Sequence, residues 1–282
     1  MSQAGILKVS DSILPPSVAT EFDTDSGSAI PVGNILNVFG GTGITTSGSG
    51  NTITITAFQP NKNIVLFDDF VSVWGNTSNL INSTLTWQAA SAVQMNSDIA
   101  DITSGHPGML QNAVMTSLDA GIFFATQAGA VYLPFILGGG AIILNWVIKL
   151  NALSNGAGRY ALRLGMGDTK AADQANGVYF EYSDNINGGL WNIKTASASV
   201  TTTVSSAVAA TTGFHNLQIS INAAATSISY SIDGVSVGTI ATTIPITRLT
   251  PFYDATWVAG SVAAGTLAID LFYMTQTLTT AR

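Results

Sequence analysis

Paired carboxylates are the first chemistry to look for, because glycoside hydrolysis needs two positioned acidic groups. The chain carries only two glutamates, Glu21 and Glu181. In the pattern Glu-x-Asp-x-x-Glu, which places the acidic groups of one type of glycosidase on a single strand, the second and third acids would fall at Ser183 and Ile186. Asp68 and Asp69 are adjacent, so on a strand they point to opposite faces and cannot share a substrate. The sequence therefore predicts a protein that is not an enzyme.

Metal and nucleophile patterns are equally incomplete. His106 and His215 are the only histidines, neither has a second ligand at zinc spacing, and cysteine is absent. Residues 23–27 begin like a calcium loop but lack its closing glutamate, so an Asx-turn is the better interpretation. Serines are abundant, which leaves a Ser-His-Asp triad open, although no Gly-x-Ser-x-Gly elbow is found in a strand–turn–helix context. We expect no metal site and no cofactor.

Sugar binding needs flat aromatic faces beside side chains that bond hydroxyl groups. The candidate ligand-binding residues are Trp74, Tyr253, Asp254 and Trp257, all in loop-like contexts. The aromatic segment from Pro251 to Trp257 breaks the strand alternation, which suits the rim of a domain. The alternative is that these rings cap the edge of a sandwich or fill a subunit interface, as aromatic residues more often do.

The elements that would position these residues are predicted to be strands. Charged residues make up 9% of the chain, and Thr, Ser, Asn and 28 Gly supply the polarity that helices take from Glu, Lys and Arg. The net charge of −7 excludes nucleic acid and anionic membranes as obvious partners. The apolar segment from Val131 to Leu150 is interrupted by Gly138, Gly139 and Gly140, so we expect two strands rather than a membrane span.

Two regions differ in pattern. Residues 1–62 contain the segment from Asn34 to Thr56, in which glycines punctuate short alternating strands that cannot bury much surface alone. We predict an attachment and oligomerisation segment with short β-strands. Residues 63–282 show apolar runs at intervals of about 8–15 residues, which predict a single two-sheet sandwich of about a dozen strands. Asp233-Gly234 predicts a two-residue hairpin turn, and Trp146 and Trp191 are expected in the core.

The order of several landmarks resembles a known family. The landmarks are residues 67–70 (FDDF), Trp87, residues 104–108 (SGHPG), 177–182 (GVYFEY), 190–193 (LWNI), 214–219 (FHNLQI), 229–234 (SYSIDG) and 267–272 (LAIDLF). This order is similar to that of concanavalin A-like, laminin-G-like jelly-roll domains at the ends of bacteriophage tail fibres. The Gly/Thr strands before it resemble the repeats that precede such heads in phage fibres and adhesins.

The resemblance implies an all-β, concanavalin A-like two-sheet jelly-roll sandwich preceded by a short Gly/Thr-rich β segment. It implies a virion protein, a tail fibre or receptor-binding protein, that forms a homotrimer and contacts other tail proteins through its N-terminal segment. The head would bind a host-surface glycan or protein, and several copies would raise weak affinity by avidity. The alternatives are a bacterial surface adhesin or filament subunit, a virion decoration protein, and a capsule depolymerase.

Overall fold

The computed structural model describes residues 22–24, 27–29, 44–49, 52–57, 62–71, 80–82, 85–89, 95–97, 102–117, 119–124, 134–169 and 173–280. The chain divides into two compact units, Met1–Gln59 and Pro60–Arg282, whereas the sequence analysis placed the boundary after residue 62. No α-helix occurs among the described residues. Accordingly, none of them forms a helix with the length and apolar character needed to cross a membrane.

The first unit contains two short antiparallel pairs. Strand β1 (Phe22–Thr24) pairs with β2 (Gly27–Ala29), and β3 (Ile44–Ser49) pairs with β4 (Thr52–Ala57). The alternating Thr/Ile segment is therefore a strand, as predicted, because β-branched residues suit a pleated surface. Assembly through this unit stays a prediction.

In the part of the second unit that the structure describes, strands are joined by turns and by a short 3-10 segment, Asn187–Gly189. Its seventeen strands within the described residues are β5 (Asn63–Asp68), β6 (Leu80–Asn82), β7 (Thr86–Ala89), β8 (Met95–Ser97), β9 (Leu110–Asn112), β10 (Ala120–Phe124), β11 (Phe135–Ile136), β12 (Gly140–Leu150), β13 (Gly158–Gly167), β14 (Gly177–Tyr182), β15 (Leu190–Ser197), β16 (Val200–Ala209), β17 (Gly213–Ile221), β18 (Ile228–Ile232), β19 (Val235–Ile240), β20 (Arg248–Gly260) and β21 (Leu267–Leu278). The sequence predicted about a dozen, because strands such as β6, β8 and β11 are too short to give a periodic pattern.

Two antiparallel sheets pack face to face. The nine-stranded sheet has the order β16-β15-β14-β13-β20-β10-β7-β6, and β11 also pairs with β20. The eight-stranded sheet has the order β19-β18-β17-β12-β21-β9-β8, and β5 also pairs with β21. The protein is thus an all-β, concanavalin A-like jelly-roll sandwich, which confirms the predicted fold class.

The core lies between the sheets and follows from strand alternation. In β12 every second residue is buried, including Trp146, and β15 contributes the fully buried Trp191, as predicted. Phe272 lies between Trp87 and Trp146, with ring centroids 4.9 and 4.7 Å away. Tilted and edge-on contacts of this kind add to the free energy gained by burying the rings.

Turns and one buried carboxylate fix the ends of strands. Asp233 and Gly234 both have positive φ and join β18 to β19, which confirms the predicted hairpin turn. The buried Asp68 accepts hydrogen bonds from the Phe70 amide at 3.0 Å, the Leu85 amide at 2.9 Å and the Trp87 indole Nε1 at 2.8 Å. This carboxylate therefore ties the end of β5 to the start of β7.

Three neighbouring strands of the nine-stranded sheet are buried on both faces. In β14 all six residues are buried, and β13 and β15 are buried over most of their length. One face packs on the core, and we call the opposite face the outer face. The outer face does not belong to the core, yet its residues are buried as well. Several of these buried residues are polar or charged.

Candidate functional site

The predicted ligand-binding residues do not share one surface. The segment from Pro251 to Trp257 lies inside the thirteen-residue strand β20, so the predicted loop-like rim is wrong. Tyr253 faces the core, fully buried, with its ring centroid 6.2 Å from that of Trp146. Its ring therefore offers no face to a sugar. Asp254 points to the outer face, and Trp74 lies outside the described residues.

Trp257 is half-buried and packs against the edge of the core. Its indole Nε1 donates to the Gly260 carbonyl at 3.1 Å, and its amide donates to the Asp119 carboxylate at 2.7 Å. These bonds hold the end of β20, in line with the alternative that an aromatic residue caps the sandwich edge. A role for Trp257 in ligand binding stays a prediction.

A charged cluster lies instead on the outer face, at positions fixed by strand register. Arg163 on β13 stands opposite Glu181 on β14 and opposite Asp254 on β20. Tyr179 on β14 stands opposite Lys194 on β15. Because side chains two residues apart on a strand share a face, this register gathers them on one surface. We call Arg163, Asp173, Tyr179, Glu181 and Lys194 the outer-face cluster.

Glu181 is the buried anchor of this cluster. Its Oε1 accepts from Arg163 Nε at 2.9 Å and its Oε2 accepts from Lys194 Nζ at 3.1 Å. Side-chain exposure is 3% for Glu181, 9% for Arg163 and 8% for Lys194. A buried carboxylate is stable when both oxygens are bonded to cations, so Glu181 holds both basic groups in place.

Asp173 closes the cluster from the solvent side. Its Oδ1 accepts from Arg163 Nε at 3.0 Å, from Lys194 Nζ at 3.0 Å and from the Tyr179 hydroxyl at 3.3 Å. The Asp173 side chain is 58% exposed and comes from the segment between β13 and β14. A single carboxylate oxygen of this exposed side chain thus occupies the point at which three donors converge.

The electrostatics of the cluster favour its charged form. Partial burial alone would raise the pKa of Asp173, but Arg163 and Lys194 outweigh it and hold that pKa below its usual value. Burial raises the pKa of Tyr179, and the charges of Asp173 and Glu181 raise it further, so the phenol is a neutral donor. Burial opposes the charge on Arg163, yet the carboxylates around it leave its pKa above the usual value.

Asp254 lies beside the cluster and is bonded through one oxygen. Its Oδ2 accepts from the Thr256 hydroxyl at 2.7 Å, and Arg163 Nη1 donates to that hydroxyl at 3.0 Å. Within the described part of the chain, Asp254 Oδ1 has no hydrogen-bond partner. Complete burial raises the pKa of Asp254 to about 7, and the negative charge of Asp119 adds to this rise. Asp254 therefore carries a proton in part of the molecules at neutral pH.

Aromatic rings fill the outer face next to the charged groups. Phe123 and Phe252 stack with centroids 5.7 Å apart, and Phe252 meets the edge of Tyr179 at 6.1 Å. Gly165 stands between Phe252 and Tyr179 in the register. A Cβ at Gly165 would overlap the Val178 carbonyl and Tyr179 itself, so glycine permits this close packing.

The geometry of the cluster suits binding better than hydrolysis. Glu181 is 3% exposed and each of its oxygens is bonded to a cation, so this carboxylate does not face a substrate. Asp254 is a fully buried carboxylate with a free oxygen, but Arg163 separates it from Glu181, two strand spacings and about 10 Å across the sheet. Within the described residues, no group of three or more His, Cys, Asp and Glu side chains could hold a metal ion.

Thr211, His215 and Asp233 have the outline of a hydrolytic triad. Thr211 Oγ1 lies 3.2 Å from His215 Nε2, and Asp233 Oδ2 lies 2.9 Å from His215 Nδ1. The same Nε2 also lies 2.9 Å from the Thr211 carbonyl oxygen. Nε2 thus lies closer to the Thr211 carbonyl oxygen than to the hydroxyl, so the ring is placed to bridge Asp233 and the Thr211 backbone rather than to activate that hydroxyl.

Sequence reasoning examined Glu181 but missed its partners Arg163, Lys194 and Asp173. A signal was present, since the chain has only nine basic residues and both Arg163 and Lys194 are among those that lie inside strongly apolar strands. Arg163 and Lys194 also alternate with core residues in the same phase as Glu181 does. No pattern locates Asp173, because it lies outside any strand.

The comparisons with known proteins identify a family and a fold. The family model described as "SO2946-like, C-terminal domain" matches residues 105–270. The chain is similar to the crystal structure of the protein of unknown function SO2946 from Shewanella oneidensis MR-1, with a TM-score of 0.53 and 12% identity over 78% of this chain and 89% of that one. At this identity the similarity shows a shared fold. No significant match was found among curated proteins.

Two further solved structures are more distant. An endo-1,3-beta-glucanase from Streptomyces sioyaensis has a TM-score of 0.48 and 13% identity, covering 77% of this chain and 97% of that one. The metal-free carbohydrate recognition domain of Emp46p has a TM-score of 0.47 and 8% identity, covering 67% of this chain and 87% of that one. Neither similarity carries an argument about function.

Proposed function

The chain belongs to the SO2946-like C-terminal domain family, and from this premise we propose that it is a non-catalytic binding protein whose sandwich docks on a host-surface glycan or protein. The observation that carries the proposal is the state of Glu181, whose two oxygens are both engaged by buried cations. Acid–base catalysis needs a carboxylate that can gain or lose a proton at the substrate, whereas recognition needs donors held in a fixed geometry. The outer-face cluster supplies donors that are held in a fixed geometry.

Within this proposal the protein is a phage tail-fibre or receptor-binding subunit. Residues 1–62 attach it to the particle and other tail proteins, and residues 63–282 form the head. Support comes from the Gly/Thr-rich pair β3–β4, since a hairpin of two strands is only marginally stable by itself. Support also comes from a charged fraction of only 9%, since few charges need desolvation in a close-packed β assembly. A homotrimer would multiply weak single-site affinity.

A glycan array probed with the full-length protein tests the binding function. We expect binding to a restricted set of surface glycans and no release of reducing sugar from any of them. If the array is blank and bacterial cells also fail to retain the protein, the binding proposal is wrong. Light scattering tests the assembly separately, and a clean monomer at micromolar concentration contradicts the trimer.

A capsule depolymerase is a second candidate, favoured by one observation. Asp254 has a free oxygen and a pKa of about 7, which suits a general acid. Incubating the protein with capsular polysaccharide at pH 6 to 7 distinguishes the two functions. Reducing ends that appear with the native chain and disappear with Asp254→Asn would establish hydrolysis and overturn the non-catalytic proposal. A bacterial adhesin or a decoration protein would be distinguished by its location in electron micrographs.

A further inference from the structure

The two carboxylates of the outer-face cluster differ in burial and in the number of oxygens that accept hydrogen bonds. Glu181 uses both oxygens and is 3% exposed, so it is part of the framework. Asp173 uses one oxygen and its side chain is 58% exposed. Removing Glu181 would leave two buried cations without their buried partner, whereas Asp173 can turn into solvent and leave that framework intact. Asp173 is therefore the exchangeable member.

Three donors remain in place when Asp173 leaves. Glu181 fixes Arg163 and Lys194, and the Lys194 ammonium also lies 5.4 Å from the centroid of the Tyr179 ring, within cation–π range. The Tyr179 hydroxyl stays neutral and points at the same oxygen position. Two cations and a phenol that converge on one point are arranged for a carboxylate oxygen. The charge balance also favours an anionic ligand, because a neutral ligand would leave the two cations, Arg163 and Lys194, beside a single carboxylate, that of Glu181.

We propose that Arg163, Lys194 and the Tyr179 hydroxyl form a binding site for the carboxylate of an acidic sugar, a uronic or sialic acid, and that Asp173 occupies this site in the ligand-free protein. The inference rests on the proposed glycan-binding function and specifies its ligand class. The ligand carboxylate takes the place of the Asp173 carboxylate, so the net charge of the cluster does not change.

The surroundings of the site favour a sugar over an acidic peptide. Strand β16 is the next strand beyond β15, and Thr203 stands opposite Lys194 in the register. Thr201 and Ser205 fall in the same phase, and all three side chains are exposed. A row of hydroxyl groups beside a carboxylate site complements the ring hydroxyls of a sugar acid, whereas an acidic side chain of a peptide brings no hydroxyl groups to that row.

The test removes the internal competitor and compares two ligands that differ only in the carboxylate. Binding of methyl β-D-glucuronide and methyl β-D-glucoside to the full chain is measured by calorimetry for the native protein, Asp173→Ala and Asp173→Asn. A site that is mostly occupied by its own side chain loses affinity in proportion to the occupied fraction. We therefore expect both variants to bind the glucuronide at least about tenfold more tightly than the native chain, and neither to bind the glucoside.

Asp184→Ala is the matched control. Asp184 is also a partly exposed aspartate paired with an arginine, with 2.7 Å between its Oδ2 and Arg159 Nη2, and Arg159 is its one cationic partner among the described residues. We expect no gain of glucuronide binding in this variant. Thermal melting of each variant checks folding, and the glucuronide should raise the melting temperature of Asp173→Ala and not that of Asp184→Ala.

Several outcomes would overturn the inference. One is a folded Asp173→Ala protein that binds the glucuronide no better than the native chain or Asp184→Ala does. Another is equal binding of the glucuronide and N-acetyl-aspartate amide, which would assign the site to acidic peptides. Neutral glycans bound by the native chain on the array, without any gain for Asp173→Ala, would overturn this inference and leave the proposed function standing.

Discussion

Replacing Asp254 by asparagine should stabilise the fold above neutral pH and have no effect near pH 4. Burial raises the pKa of this carboxyl from 3.8 to about 7. Below pH 3.8 both the folded and the unfolded chain carry the proton, so the group contributes nothing. Between the two pKa values the unfolded chain releases the proton first, which lowers the free energy of unfolding as the pH rises. Above a pH of about 7 both states have released the proton, and the free energy of unfolding falls no further.

The size of the effect follows from the difference in pKa. Each pKa unit corresponds to about 1.4 kcal/mol, so the change from 3.8 to about 7 amounts to about 4 kcal/mol. Asparagine has the shape of a protonated aspartate, keeps an oxygen to accept from Thr256, and carries no charge that must be buried. The native chain should therefore lose about 4 kcal/mol between pH 4 and pH 8 relative to Asp254→Asn.

Urea unfolding of the two proteins at pH 4, 6 and 8 measures this difference. Asp68→Asn is the matched control, because Asp68 is equally buried but accepts three hydrogen bonds through both oxygens. An amide at that position turns its NH₂ toward donors, so this variant should be less stable than the native chain by about 1–3 kcal/mol, whereas Asp254→Asn should not be. A stability difference between the native chain and Asp254→Asn that is independent of pH, or a less stable variant at pH 8, would refute the reasoning.

Three further substitutions have outcomes set by single contacts. Tyr253→Phe should raise stability by roughly 1 kcal/mol in thermal melts, because the Tyr253 hydroxyl is buried with no partner within the described residues; a loss would mean that the hydroxyl is bonded. Gly165→Ala should cost about 3 kcal/mol in urea unfolding, since its Cβ would overlap the neighbouring strand; an unchanged midpoint would contradict the packing described. Lys194→Met should cost about 3 kcal/mol by leaving Glu181 with one cation, and adding Glu181→Gln should recover part of the loss; a neutral single variant would show that the ion pair is not formed.

The fold could be predicted because it depends on patterns that span many residues. Clean alternation in β17 and β18 and the Asp233-Gly234 turn specify antiparallel strands. Trp146 and Trp191 lie in β12 and β15, which the apolar runs of the sequence predict as strands. The scarcity of charged residues removes the surface that helices require. Short strands such as β6 and β8 escaped prediction, because three residues do not establish a period.

The candidate site could not be predicted, because its geometry depends on register across four strands. Glu181 and Arg163 are eighteen residues apart, and Arg163 and Thr256 are ninety-three apart. The prediction of a loop around Tyr253 was wrong for a related reason. A strand that is buried on both faces loses the alternation that marks a half-buried strand, so β20 looked like a loop.

Stability alone does not account for the outer-face cluster. The same sheet covers its outer face a few residues away with Phe123 and Phe252, which stack without any charge to desolvate. Replacing a buried ion network by apolar groups of similar size is often neutral or stabilising, so the charged network has no advantage over such packing. What the network supplies and apolar packing cannot is a fixed set of donors, with Arg163 and Lys194 held by Glu181 and capped by one exposed carboxylate. That arrangement favours recognition of an anion as the role of this face.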